Sequence, residues 1–196
     1  MFNDTSSPLA LLATRRSGKA RDMVAPFPSA DQLAAMIAIA ARVPDHGKLS
    51  PWRFVVIPDG SRDALSTVIT DAYLAERPNA GRLEIEAMDR FARYPAALVA
   101  VLHTPVLSSK IPLWEQQLSA GAVAMQLLNA AHAHGFVGNW LTGWAGESAA
   151  VAAALGADRP QDRIVGFFFI GSPASALEER PRPDLARTVH TWQGVA

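Results

Sequence analysis

The sequence predicts a single α+β domain spanning residues 1–196, and three observations predict it. At 196 residues and 21.0 kDa, with 49% hydrophobic and 18% charged residues, the chain has the length of one domain and a composition that excludes wholesale disorder. Stretches with the period of amphipathic helices stand between short β-prone runs. Neither an internal repeat nor a flexible linker divides the chain.

The elements follow in order. Ser7-Pro8 caps a first helix that ends near Arg15-Arg16. Ser29 to Gln32 forms a capping box, and Leu33, Met36, Ile37, Ala40 and Ala41 then make a core-facing stripe that Pro44 stops. Pro51 to Ile57 is a β-rich run closed by Pro58-Asp59-Gly60. Helices are expected over 61–75 and 82–93, and Ala96 to Leu102 reads as a buried strand. Residues 112–134 predict a long central helix, apolar or small on nearly every face, which Gly135 ends. Phe136 to Leu141 is a third strand, Glu147 to Leu155 an alanine-rich helix, and Arg163 to Ile170 a fourth strand. The tail from Ser172, with Pro173, Pro181 and Pro183, reads as extended chain.

Composition narrows the function classes. The 18 basic residues balance 18 acidic ones, which argues against a nucleic-acid or acidic-membrane binder. Without cysteine, thiol nucleophiles, zinc ribbons and thiolate-held clusters are excluded. The N-terminal segment places its apolar residues before its charges, the reverse of a secretory signal, and no run is long enough to cross a bilayer. The chain reads as soluble and cytoplasmic.

Several familiar motifs fail on spacing. Ser17-Gly18-Lys19 resembles the end of a phosphate loop, but Ala13 and Ala20 stand where glycine and Ser/Thr are required. Neither a G-x-S-x-G elbow nor a G-x-G-x-x-G after a strand is present. His132 and His134 lie two apart on a helix and cannot share a metal; both read as solvated or helix-end histidines.

What remains is a set of separated basic and glycine-bearing elements. Arg15-Arg16-Ser17 offers two guanidinium forks and a hydroxyl, which suit a phosphate dianion, although a charge cluster at a helix end has the same composition. Arg42 and His46 flank Pro44-Asp45 in a loop before a strand, as a binding pair or as surface pairing. Gly135 to Gly138, followed by Asn139-Trp140-Leu141-Thr142-Gly143, supplies backbone that could approach a flat ligand, or a tight turn with a core tryptophan.

In order and spacing these pieces resemble the nitroreductase family of FMN-dependent oxidoreductases, particularly its short single-domain members. The resemblance runs from Ala13 to Trp192. It is carried by Arg15-Arg16-Ser17, by Arg42 to His46 leading into Ser50-Pro51-Trp52, by Trp114 to Gly121, by Ala124 to Gly138, and by Ile164 to Phe167 with Ile170 to Pro173.

It implies a mostly antiparallel sheet flanked by helices, in a homodimer with FMN at the subunit interface. By position, Arg15, Arg16 and Ser17 are expected at the phosphate and ribityl chain, with Arg182 reaching the phosphate late in the chain and Arg180 as its substitute. Arg42 and His46 are expected at the flavin, from the same chain or from the partner subunit. Trp140, Leu141 and Thr142 match the segment along the isoalloxazine ring.

The implied chemistry is ping-pong transfer of hydride from NAD(P)H through flavin N5 to a nitroaromatic, quinone-like or related conjugated acceptor, with no catalytic side chain required. A flavin carrier or sensor without turnover is the alternative. Two departures bear on it: Lys48-Leu49-Ser50-Pro51-Trp52 replaces the usual Asn-x-Gln-Pro-Trp, and Lys19 stands where many members have arginine. The small-residue run Ser119 to Ala122 suits close approach at a subunit interface. Trp114 is read as a packing residue or as a lid over the acceptor.

Overall fold

The computed structural model describes residues 1–194, and among them the chain forms eight α-helices and five strands. In order these are α1 (Pro8–Thr14), β1 (Met23–Val24), α2 (Ala30–Ala40), β2 (Trp52–Ile57), α3 (Arg62–Glu76), α4 (Arg82–Phe91), β3 (Ala97–His103), α5 (Leu113–Ala133), β4 (Val137–Leu141), α6 (Gly143–Glu147), α7 (Ala149–Ala154), β5 (Arg163–Pro173) and α8 (Leu185–Thr188).

The helix starts follow local chemistry. The Ser7 hydroxyl accepts from the Ala10 amide at 3.1 Å, with Pro8 at the first helical position. At α2 the predicted capping box is complete: the Ser29 amide donates to Gln32 Oε1 and the Gln32 amide to Ser29 Oγ. That helix ends at Ala40, a turn before Pro44, because proline disfavours helical geometry at the residue preceding it.

All strand pairings are antiparallel. The order runs β1-β5-β3-β2, and β4 also pairs with β5. β5 is the hub: β3 lies along one edge, β4 and β1 along the other. Its run Phe167-Phe168-Phe169-Ile170 is wholly buried, as are Leu98 to Leu102 of β3, to within 1% exposure. A strand buried on both faces reads as a continuous apolar run, which is how both appeared in the sequence.

Alternation then assigns the layers. Val99, Val101, Phe168 and Ile170 face Met36 of α2 and Val123 and Leu127 of α5. Leu98, Ala100, Leu102, Phe167 and Phe169 face Leu65 and Ile69 of α3 and Val151 of α7. Each buried phenylalanine contributes roughly 2–3 kcal/mol.

Three expectations change. The helix expected over 147–155 is α7, starting two residues later, and an unexpected short helix, α6, precedes it; Ser148 separates the two by turning extended (ψ 121°) and caps α7 through the Val151 amide. The tail is not extended throughout: Asp184 accepts from the Ala186 amide and starts the single turn of α8. His132 stands at the helix end, in the last turn of α5, but is not solvated; it is 0% exposed. Its neighbours on α5, Leu128 and Ala131, are buried too, and they carry its face of the helix into the core.

Candidate functional site

A cavity of about 610 Å³ opens beside β4. One wall is Arg15 to Lys19, the floor is Met125 and Leu128 of α5, and Asn139, Trp140 and Thr142 form the second wall. The segment from Pro173 to Glu178, with Arg180, closes the third side.

The first wall is fixed from both ends. Asn3 pairs with the backbone of Arg16, its Oδ1 accepting from the amide at 2.7 Å and its Nδ2 donating to the carbonyl at 3.0 Å. Asn139 Nδ2 donates to the Gly18 carbonyl at 2.7 Å, tying that wall to β4. A Cβ at Gly18 would stand 2.6 Å from Val137 Cγ2, so only glycine permits this approach of loop to strand.

The second wall depends on Trp140. Its indole lies over Phe168, with centroids 5.3 Å apart, and its Nε1 donates to the Val165 carbonyl at 3.0 Å. This holds a broad aromatic surface at the cavity.

Charge gathers at one end. Arg15 Nη1 bonds Ser17 Oγ at 3.3 Å. Burial, then Arg182, Arg16 and Arg180, lower the pKa of the Arg15 guanidinium, so four guanidiniums repel one another here. Arg16 Nε donates to the Glu178 carbonyl, and Arg182 Nη2 bonds Glu179 Oε1 at 2.9 Å. A phosphate dianion placed among these forks would convert repulsion into charged hydrogen bonds.

Of the residues expected from sequence, the structure brings Arg15, Arg16, Ser17, Trp140 and Thr142 to one cavity. Leu141 does not join them. Neighbouring residues of a strand face opposite ways, and Leu141 lines a smaller depression of about 240 Å³ with Lys19, Arg21, Tyr94 and Asn139. Arg180 lines the cavity, whereas Arg182 stands close enough to act on Arg15 without lining it. Arg42 and His46 lie outside the cavity of their own chain. His46 Nδ1 meets Glu115 Oε2 of α5 at 2.7 Å, and Ser119 Oγ donates to the Pro44 carbonyl at 2.6 Å, so that loop is pinned to α5.

Sequence reasoning missed Asn139, Met125, Leu128 and the 173–178 wall. Asn139 sat inside a quoted motif; the wall carried no signal. His132 was also missed: its Nε2 accepts from the Gly138 amide at 3.2 Å, and burial, with Arg15 adding to it, pushes its pKa from 6.5 to about 4.

The outer face of α5 continues from Met125 towards solvent. Trp114 and Leu118 are 61% and 64% exposed, with Leu113 beside them, and α1 exposes Leu9 and Leu12. Among the described residues, no group of three or more His, Asp or Glu side chains could hold a metal, and no helix is long and apolar enough to cross a membrane.

Fold and site together set a cluster of guanidiniums beside an aromatic wall on an α+β frame. Residues 12–172 match the model of the Nitroreductase family, and the chain belongs to that family, an oxidoreductase family as its motifs implied. A curated relative, "Putative NAD(P)H nitroreductase YdjA" of Escherichia coli K12, is 36% identical over 168 residues, covering 84% of this chain and 87% of that one. The crystal structure of a nitroreductase-like family protein from Bacillus cereus superposes with a TM-score of 0.77 at 19% identity, over 96% of this chain and 97% of that one. The FMN and NADPH-dependent nitroreductase NfnB from a sphigopyxis strain, at 18% identity, gives 0.70 over 94% and 97%. These likenesses bear out the α+β frame with its mostly antiparallel sheet.

Proposed function

We propose that this chain is an FMN-dependent oxidoreductase that takes hydride from NAD(P)H and passes it, by a ping-pong mechanism, to a nitroaromatic, quinone-like or related conjugated acceptor. The observation that carries this reading is the convergence of Arg15, Arg16, Arg180 and Arg182 at one end of a cavity walled by Trp140. The donor set fits a phosphate, and the aromatic wall fits a planar ring. Family membership and the nitroreductase names of the relatives support the same assignment.

In this reading Arg15, Arg16 and Ser17 hold the phosphate end, with Arg180 and Arg182 completing its charge. Trp140 and Thr142 border the ring. Bound FMN supplies two-electron redox chemistry. The chain's part is to orient the ring, neutralise the phosphate and leave one face open to a small-molecule partner. That division of labour requires no nucleophile, and none is assigned.

A homodimer completes the site. The exposed Trp114 and Leu118 of α5 support self-association, since the floor residue Met125 lies on the same helix; α1 adds the exposed Leu9 and Leu12. Arg42 and His46, pinned to α5, then reach the flavin of the partner subunit. A cytoplasmic location accords with use of NAD(P)H.

The test is the purified protein's absorbance spectrum, followed by anaerobic mixing with NADH and with NADPH. A flavin band that bleaches rapidly and returns with a quinone or nitroaromatic is expected. A protein that stays colourless after incubation with FMN overturns the reading, and a flavin that never bleaches makes it a carrier.

A further inference from the structure

His132 is a buried ionisable side chain that the proposed chemistry does not use; it lines a second cavity, of about 380 Å³, on the other side of the 173–177 segment that walls the first. It leaves the last turn of α5, is 0% exposed, and meets the amide of Gly138 at the start of β4. An amide can only donate, so Nε2 must be unprotonated and the neutral ring must carry its proton on Nδ1. That Nδ1–H is buried and has no hydrogen-bond partner. A lone buried donor is costly, so the native fold tolerates His132 at a position where an apolar residue would pack without this penalty.

What the ring holds explains the retention. Gly138 packs close on α5: a Cβ there would stand 2.6 Å from Leu128 Cδ2, so any side chain would have to displace that leucine. The next residue, Asn139, bonds the Gly18 carbonyl. Gly18 follows directly on Arg15-Arg16-Ser17. A continuous chain of contacts therefore runs from the His132 ring, through Gly138 and Asn139, to the guanidinium cluster. Arg15 is the charged group that acts on the ring, and it opposes a positive charge there; no carboxylate on α1, α5 or β4 is seen to offset it.

We propose that His132, as its neutral Nδ1–H tautomer, is a positioning residue for the phosphate end of the flavin site, and that protonation releases this hold. A proton on Nε2 removes the acceptor for Gly138 and sets a second cation beside Arg15. The inference rests on the flavin reading above.

The test compares FMN with riboflavin, which lacks the phosphate, by fluorescence titration at pH 7.5 and pH 4 in the wild type, His132→Leu and His132→Gln, the lower pH being where the buried ring takes up its proton. His132→Leu should weaken FMN about tenfold while riboflavin changes less than about twofold, since one charged contact set is lost. His132→Gln, whose Oε1 can accept from Gly138, should restore FMN binding and lose less affinity than the wild type on acidification. Equal weakening of both ligands, or unchanged FMN binding, overturns the proposal, and so does an Nε2–H tautomer in the ring ¹⁵N spectrum. A wild type that binds neither flavin defeats the flavin reading instead. The positioning claim is then decided by NMR: a shifted Gly18 amide in His132→Leu sustains it, and an unmoved one ends it.

Discussion

Trp140 Nε1 bonds the carbonyl of Val165, and Val165 is the residue that β3 leaves unpaired. Along β3 and β5, Val101 faces Gly166 but Leu102 faces Ile164, so Val165 is the extra residue of a bulge. The bulge turns its carbonyl to the indole, and Gly166 leaves the ring its space: a Cβ there would stand 2.1 Å from Nε1.

Gly166→Ala must therefore displace the Trp140 ring. We expect a loss of about 1–3 kcal/mol in urea unfolding, together with weaker FMN binding. Trp140→Leu in the same chain should recover part of that stability, because neighbours in contact do not add independently. Additive losses would show that the ring and Gly166 are not coupled.

Removing Arg15 separates binding from stability. Arg15→Ala should weaken FMN by about 1.5–3 kcal/mol, the range for a charged hydrogen bond. Without ligand the same variant should unfold no earlier than the wild type, since a member of a mutually repelling cluster has gone. Differential scanning with and without FMN reads both effects.

The outer face of α5 bears on assembly. Leu118 is exposed on the helix that floors the cavity. Leu118→Glu places a charge on that face and should shift sedimentation towards monomer and reduce flavin retention. A dimer of unchanged affinity would locate the interface elsewhere.

Acid stability should have a histidine component. With His132 at about 4 when folded and 6.5 when unfolded, both states are neutral above pH 6.5 and its contribution is complete there. As pH falls from 6.5 to 4 the unfolded chain takes up the proton first, costing roughly 3 kcal/mol by pH 4. His103, also lowered by burial, acts in the same direction. Glu84 and Asp89 are depressed by the Gly81 amide and by Arg93, so their losses come below the ordinary carboxylate range. Urea midpoints at pH 7.5, 5.5 and 4.5 should fall in the wild type and fall less in His132→Gln.

Much of this architecture was legible because it is written in local chemistry. Ser7-Pro8 and the Ser29–Gln32 box announce their helices, and the runs around Leu98 and Phe168 announce strands buried on both faces. The arginine pair was legible for the same reason: guanidinium geometry is a property of residue type.

What escaped depends on distant partners. Pairing in β1 is two residues long and exists only because Pro173 and Ser172 lie opposite. The break at Ser148 is a backbone choice within an alanine-rich run that favours helix by composition. Nothing near His132 marks it as interior; its burial is decided by β4, which follows α5 and folds over it. Leu141 was grouped with Trp140 as a consecutive motif, but strand alternation divides them between two depressions.

One strand has a consequence for how the molecule responds to its ligand. β5 holds β3 on one side and β4 on the other, and it runs directly into the 173–178 wall. A ligand in the cavity thus braces three segments that all hang from the central strand, so occupancy couples to the lifetime of the whole sheet. At a free concentration 100 times Kd this amounts to about 2.7 kcal/mol. Amide exchange at Phe167 to Ile170, far from any surface loop, should slow in proportion as flavin is added.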